Sequence, residues 1–158
     1  MKPHVTAPFS AACAVMFTFF ALGAPANAFV YIVGDEQARQ CFLMAKIGAD
    51  PEKTITTCNA ALENVGLTGY DRAGIYINRG AMEIALRRVD QAMADYNTGI
   101  SIEPRMADAY VNRAGAFILQ ERFDEAMTDV NHGIDLGPTY PEVAYYNRAL
   151  TEQLMGKY

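Results

Sequence analysis

The 158-residue sequence predicts an all-α fold built from stacked antiparallel helix pairs, and three observations carry that expectation. First, residues 71–104 and 105–138 are one pattern written twice. Tyr76, Asn78-Arg79, Asp90, Ala92-Met93, Asp95, Asn97 and Gly99-Ile100 recur as Tyr110, Asn112-Arg113, Asp124, Ala126-Met127, Asp129, Asn131 and Gly133-Ile134, always 34 positions on. Self-similarity at one fixed period marks a stack of identical supersecondary units. Second, apolar and small residues within each unit recur at three- and four-residue spacing, the period of a helix and not of a strand. Third, Pro104 and Pro138 close the two units, because proline lacks the N–H that a continuing helix needs.

Taken in order, the chain opens with Lys2 and His4, an apolar run over residues 11–22, then Gly23, Pro25 and Ala26-Asn27-Ala28. This is the layout of a secretory signal peptide cleaved after Ala28. A bilayer span needs about 20 mainly apolar residues, so the run is short for a membrane helix, and Pro25 interrupts it. An uncleaved anchor or a buried first helix fits the pattern less well. Cys13 lies inside the run and is not placed for lipid attachment. The expected organisation is a signal peptide over residues 1–28 and one helical repeat domain over residues 29–158, in the periplasm or secreted. Removing the leader takes one of the 13 Lys/Arg, Lys2, and none of the 18 Asp/Glu, so the mature chain carries a formal charge of −6 (12 basic against 18 acidic). That balance disfavours nucleic acid or an anionic membrane surface as partner.

Residues 29–33 form an apolar run that either lies extended across the open end of the stack or leads into the first helix. From about Asp35 to Ile47 the chain reads helical, with Ala38, Cys41, Phe42 and Ala45 on the packing face. Asp50-Pro51 supplies a cap and a proline suited to a first helical turn. The helix that follows carries Ile55, Cys58, Ala61, Leu62 and Val65 and ends before Gly66. Matching Cys58 with Tyr96 makes this pair a divergent first repeat, as terminal repeats tend to be. Cys41 and Cys58 fall on the inward faces of two antiparallel helices. A disulfide in an oxidising compartment is the favoured reading, which by closing the loop 41–58 contributes about 3 kcal/mol. Two separate buried thiols stay open as the alternative. A redox pair or metal site fits less well, since the spacing is not Cys-x-x-Cys and His132 is the single histidine after the leader.

In the first full unit Tyr76, Ile77, Gly80, Ala81, Ile84 and Ala85 form one helical face, and a second helix begins near Asp90, whose side chain is placed to cap it. Tyr110, Ala114, Phe117 and Ile118, then Phe123, Ala126, Val130 and Ile134, repeat this in the second unit. Gly99 and Gly133 each weaken a helix by roughly 1 kcal/mol relative to alanine unless packing compensates. After Pro138 the pattern restarts one residue late as Tyr145-Tyr146-Asn147-Arg148-Ala149 and gives half a repeat, either a cap or an exposed docking end with Leu150 and Leu154.

These motifs, Tyr76-Ile77-Asn78-Arg79-Gly80 with Ala92-Met93-Ala94-Asp95-Tyr96-Asn97 and their copies, resemble the tetratricopeptide repeat family in its bacterial form. Ala114 departs from the family's usual glycine, and Gly99 and Gly133 from its usual alanine. The resemblance implies about seven helices in a short right-handed α-solenoid, with a concave groove lined by the first helix of each pair. Its groove positions correspond to Gly74, Ile77, Ala81, Ile84 and Ala85, then Asp108, Val111, Gly115, Ile118 and Leu119, with Tyr146, Leu150 and Leu154 beyond. This surface is largely apolar, so its guest is an apolar helix, an extended apolar segment, or the chain's own end folded over it.

The period shared by Arg79, Asp95, Arg113 and Asp129 supports Arg79–Asp95 and Arg113–Asp129 pairs, while Asn78 and Asn112 bond to nearby backbone. A scaffold ladder is the first reading of these residues, and recognition of an anionic peptide group the second. Nothing in the sequence assembles a nucleophile with a base, a phosphate loop or a metal set, so no cofactor and no catalysis are expected. His132 reads as a surface residue. The expected function is an exported adaptor that binds a protein or peptide segment. The alternatives are a component that self-associates through its C-terminal end, or an accessory lobe of a larger complex. Protein recovered from the exported fraction of the producing cell is expected to begin at Phe29 by intact-mass measurement; a chain that retains Met1 would refute the leader.

Overall fold

The computed structural model describes residues 24–33 and 36–156. The first 23 residues of the expected leader, Gly34 and Asp35, and Lys157 and Tyr158 of the expected last turn lie outside that range. Among the described residues there are seven helices and no strand: α1 (Glu36–Lys46), α2 (Pro51–Leu62), α3 (Gly69–Ala85), α4 (Val89–Ile102), α5 (Ala107–Leu119), α6 (Phe123–Leu136) and α7 (Pro141–Leu154). None of them is long and apolar enough to cross a membrane.

Local chemistry sets the helix starts in two ways. Asp50 accepts a hydrogen bond from the Lys53 N–H at 2.8 Å ahead of Pro51, and Thr68 accepts one from the Asp71 N–H at 3.0 Å. Each satisfies one of the backbone donors left open in a first helical turn. α4 and α6 start differently from expectation. Asp90 is not a cap: α4 begins at Val89, with Arg88 before it and no side-chain cap, and α6 begins likewise behind Arg122. The turn ahead of each helix closes on backbone instead. Arg87 and Glu121 take positive φ, 61° and 58°, and the N–H groups of Arg88 and Arg122 donate to the carbonyls of Glu83 and Phe117 at 2.9 Å. Asp90 and Asp124 then sit inside the first turn, where a helix's N-terminal partial charge favours them.

Each helix packs on the next, and α1, α3, α5 and α7 also touch one another in that order, whereas among the described residues α2, α4 and α6 do not meet. The odd-numbered helices therefore form a continuous layer and the even-numbered ones back it. The first hairpin carries the Cys41–Cys58 disulfide, S–S 2.09 Å, within a core of Ala38, Phe42, Ala61 and Ile75.

Side-chain volume fixes how closely each pair approaches. A methyl group on Gly99 would come within 2.6 Å of Ile77 Cδ1, and one on Gly133 within 2.8 Å of Val111 Cγ2 and 3.2 Å of the Ala107 carbonyl. These glycines return in helix contact what they lose in helix propensity, and alanine would not fit without displacement. The α3–α4 pair is closest at Gly80, where a methyl would meet Tyr96 Cε1 at 2.5 Å. The matching positions in the next pair are Ala114 and Val130, both fully buried. A larger residue on one side goes with a smaller one on the other, so the departure at Ala114 is one half of a paired exchange of volume.

Among the described residues Tyr96 is the largest fully buried side chain, and its hydroxyl has no hydrogen-bond partner there. Burial, aided by the neighbouring Asp95 charge, pushes its pKa far above the usual tyrosine value and keeps it neutral. An unpaired buried hydroxyl is unfavourable, so Tyr96→Phe is expected to raise stability by roughly 1 kcal/mol in chemical denaturation. Gly80→Ala is expected to lower it by about 1–3 kcal/mol, with Tyr96→Val recovering at least about 1 kcal/mol in the double variant. Strict additivity of the two changes would dismiss the paired-volume account.

Candidate functional site

Residues 24–33 run extended across the layer formed by α7, α5 and α3, and then feed α1. An extended chain presents the N–H and C=O of alternate residues along the same edge. Here that edge has no neighbouring strand. It meets three asparagines instead. Asn147 Oδ1 accepts from the Ala26 N–H at 2.9 Å while its Nδ2 donates to the Ala26 carbonyl at 3.0 Å. Asn112 makes the same pair of bonds with Ala28, both at 2.7 Å. Asn78 makes it with Val30, both at 2.9 Å. Each side-chain amide takes the place of a peptide group in a neighbouring strand, giving one acceptor and one donor to one residue. All three asparagines are fully buried. Further along, Asp71 accepts from the Val33 N–H at 3.2 Å, and the Tyr146 hydroxyl donates to the Ala24 carbonyl at 3.0 Å.

Alternation governs the side chains as well. Ala28, Val30 and Ile32 are buried, whereas Tyr31 and Val33 are 59% and 73% exposed. Glycines make the room. A methyl on Gly74 of α3 would meet Val30 Cγ1 at 2.9 Å, and one on Gly115 of α5 would meet Pro25 Cβ at 3.2 Å.

The arginine that follows Asn78 or Asn112 is turned about 100° around the helix and so faces the backing helices. Arg79 pairs with Asp95 through Nε at 2.9 Å and Nη2 at 2.5 Å, and its Nη1 reaches Asn59 of α2 at 2.6 Å. Arg113 pairs with Asp129 at 2.7 and 3.0 Å and reaches Asn97 of α4 at 2.7 Å. The Asp95 hydrogen bond, ahead of an opposing burial effect, raises the Arg79 pKa above its usual value and holds the guanidinium charged. The guanidiniums of Arg79 and Arg113 also lie over the rings of Tyr76 and Tyr110, three residues earlier. Asn-Arg is thus a two-sided dipeptide: the asparagine holds an extended backbone and the arginine fixes the helices behind it.

The groove positions inferred from the sequence separate into distinct roles. Ile84, Ala85 and Leu119 line a cavity of about 170 Å³ together with Ala24 and Pro25, Gly115 lies beneath Pro25, and Tyr146 reaches Ala24. Ile77 and Val111 are fully buried and close on Gly99 and Gly133 of the backing helices. Ala81 packs with Ala45, Ile55 and Met82, and Ile118 and Leu150 with Phe117, Ala126 and Val130. Asp108 accepts from the N–H and hydroxyl of Thr139, at 3.1 and 2.7 Å, and so holds the turn between α6 and α7. Burial pushes its pKa up and the Thr139 bonds oppose that rise. Leu154 is exposed, and His132 is exposed with its ring edge-on to Tyr110. Among the described residues no group of His, Cys, Asp or Glu is arranged to hold a metal ion.

Sequence reasoning missed which segment the asparagines hold. One signal was present: Ala26, Ala28, Val30 and Ile32 alternate with Pro25, Asn27, Phe29 and Tyr31, a period-two pattern within an otherwise helical chain. No protein-family model matches the chain, and none of the curated proteins does.

The double bonding makes a pH-dependent test. In Asn78→Asp an ionised carboxylate can accept from the Val30 N–H but cannot donate to the Val30 carbonyl, whereas the protonated acid does both. The folded-state pKa of that group is therefore expected above the usual aspartate value of about 3.9. Its full stability is present below the unfolded pKa and is lost as pH rises through the folded one. Relative to the unaltered protein, Asn78→Asp is expected to lose about 1–3 kcal/mol at pH 7 and to recover towards pH 4, while Asn78→Ala loses a similar amount at both. Thermal unfolding across that range decides it, and pH-independent behaviour of the aspartate variant would contradict the pairing.

Proposed function

We propose that this chain is an exported protein-binding adaptor of the tetratricopeptide kind, whose odd-numbered helices hold an extended polypeptide by its main chain. The observation that carries the reading is the triple pairing of Asn78, Asn112 and Asn147 with alternate residues of an extended segment. Main-chain groups are common to every sequence, so such a ladder supplies affinity without regard to sequence, and selectivity comes from the alternate side chains that must fit over Gly74 and Gly115. Geometry supports a curved stack. Successive asparagines meet residues two apart, about 6.6–6.8 Å along an extended chain, while packed helix axes lie about 8–10 Å apart. The asparagine tips converge, as they do inside a right-handed solenoid bent around its guest. The Cys41–Cys58 disulfide and the leader pattern support an oxidising, extracytoplasmic location.

Backbone recognition has a direct test. A peptide with the sequence of residues 24–28 is titrated against the exported protein that begins at Phe29, alongside versions N-methylated at single positions. Methylation at the residues matching Ala26 or Ala28 is expected to weaken binding at least about tenfold, or 1.4 kcal/mol, and methylation at the one matching Asn27 to change it little. Equal binding by all versions would reject the reading.

The C-terminal end favours a second reading, assembly between copies. Arg148 continues the arginine series, but among the described residues the partners of its guanidinium, Glu152 at 4.0 Å and the Tyr145 ring at 5.1 Å, both belong to its own helix, and Leu154 near the end of that helix is exposed. A dimer in solution that Leu154→Asp abolishes would support assembly; a monomer at all concentrations would discard it.

A further inference from the structure

The extended segment divides at one peptide bond into two unequal halves. Residues 29–33 are anchored: Val30 and Ile32 lie in two hydrophobic clusters, and Phe29 packs against both the disulfide cluster and the one around Ala45 and Met82. Residues 24–28 bring only small side chains, and their place depends on Asn112, Asn147 and Tyr146. The boundary is the Ala28–Phe29 bond, which is where the sequence pattern places leader cleavage.

Cleavage and docking exclude each other in time. Ala28 is fully buried, and both its N–H and its carbonyl are held by Asn112. A peptidase needs that main chain, so hydrolysis precedes docking. Water gives its hydroxyl to the Ala28 acyl carbon and a proton to the Phe29 nitrogen, and residues 24–28 depart with the leader. Asn112 and Asn147 then lose their four bonds to Ala28 and Ala26, Asn147 keeping a 3.3 Å donation to the Val111 carbonyl, while the anchored half stays in place.

We propose that the mature chain uses this vacated half of the ladder to bind the C-terminal end of another extended polypeptide, with a small last residue at the Ala28 position and its terminal carboxylate facing the new α-ammonium of Phe29. The inference rests on the backbone-binding reading above and on the leader. Direction follows from the occupied structure: residues 24–28 run from α7 towards α3, so a replacement in the same register ends against Phe29. Size follows from the same place. Ala28 is wholly enclosed, so a bulky residue does not fit there, and the missing side chain of Gly115 makes the room taken by Pro25. Charge follows from the cut itself, which puts a cation where a neutral amide stood, and a carboxylate at hydrogen-bond distance, about 2.7–2.9 Å, is the group that complements it.

The test uses protein purified from the exported fraction, its first residue identified by intact mass. The peptide Ala-Pro-Ala-Asn-Ala is titrated into it by calorimetry with a free carboxylate and as the C-terminal amide. The expected result is a chain beginning at Phe29 that binds the acid at least about tenfold more tightly than the amide, with binding of the acid lost in Asn147→Ala while the melting temperature of the unliganded protein is kept. Equal binding of acid and amide, both sensitive to Asn147→Ala, would overturn the carboxylate pairing and leave the backbone reading standing. Failure of both peptides to bind a chain that starts at Phe29 would overturn both. An exported chain that keeps residues 24–28 would overturn this inference alone, since the ladder is then filled from within.

Discussion

A buried backbone group must be paired, and in this protein that requirement falls on an extended segment with no neighbouring strand. Asparagine meets it because its short side chain carries a donor and an acceptor at the spacing of one residue's C=O and N–H. Aspartate when ionised lacks the donor, and serine offers a single oxygen. The pairing also changes how the stack holds together. Helical repeats ordinarily contact only their neighbours. Here the segment that feeds α1 is bonded to α3, α5 and α7, and the Ala26–Asn147 bond joins positions 121 residues apart. While residues 24–28 are attached, the first and last helices are tied through this one extended segment, and their stabilities are coupled.

Behind that face, the helices are set by volume and by a few ion pairs. Gly80 with Tyr96, and Ala114 with Val130, show two solutions to the same contact, each filling the space that the other residue leaves. Arg79 and Arg113 each bridge the helix before and the helix after their own. These charges are partly buried and doubly bonded, a geometry in which an ion pair fixes register more than it adds stability. In α3 and α5 the asparagine faces the extended segment and the arginine beside it the backing helices; in α7 Asn147 keeps the same pairing although Arg148 stays on its own helix.

A surface that holds main chain by fixed amides differs from an apolar groove. In the proposed binding role, affinity would come from hydrogen bonds that any extended sequence can make, and discrimination from the space at Gly115 and Ala28. Apolar area matters at one end of the segment, where burying Val30 and Ile32 contributes about 1.5–3 kcal/mol for each side chain. The other end, residues 24–28, brings no comparable apolar anchor.

What the sequence determined by itself is local and periodic. The 34-residue repeat, the helix pairs, the cap at Asp50, the pairing of Cys41 with Cys58 and the Arg–Asp series are legible because each depends on spacing along one helix or between two adjacent ones. The side of the helix that each residue takes was legible less well. Ile77 and Val111 read as groove residues by their place in the repeat, but Gly99 and Gly133 let the backing helices approach so closely that these side chains fill the seam. Asp90 reads as a cap, yet the turn before it closes on backbone through Arg87. The role of the asparagines was decided only by tertiary structure. Asn78, Asn112 and Asn147 lie far in sequence from Val30, Ala28 and Ala26, and no periodicity connects a strand of two-residue period to helices that repeat every 34. That match exists only where stacking brings three helices to the spacing of alternate residues in an extended chain.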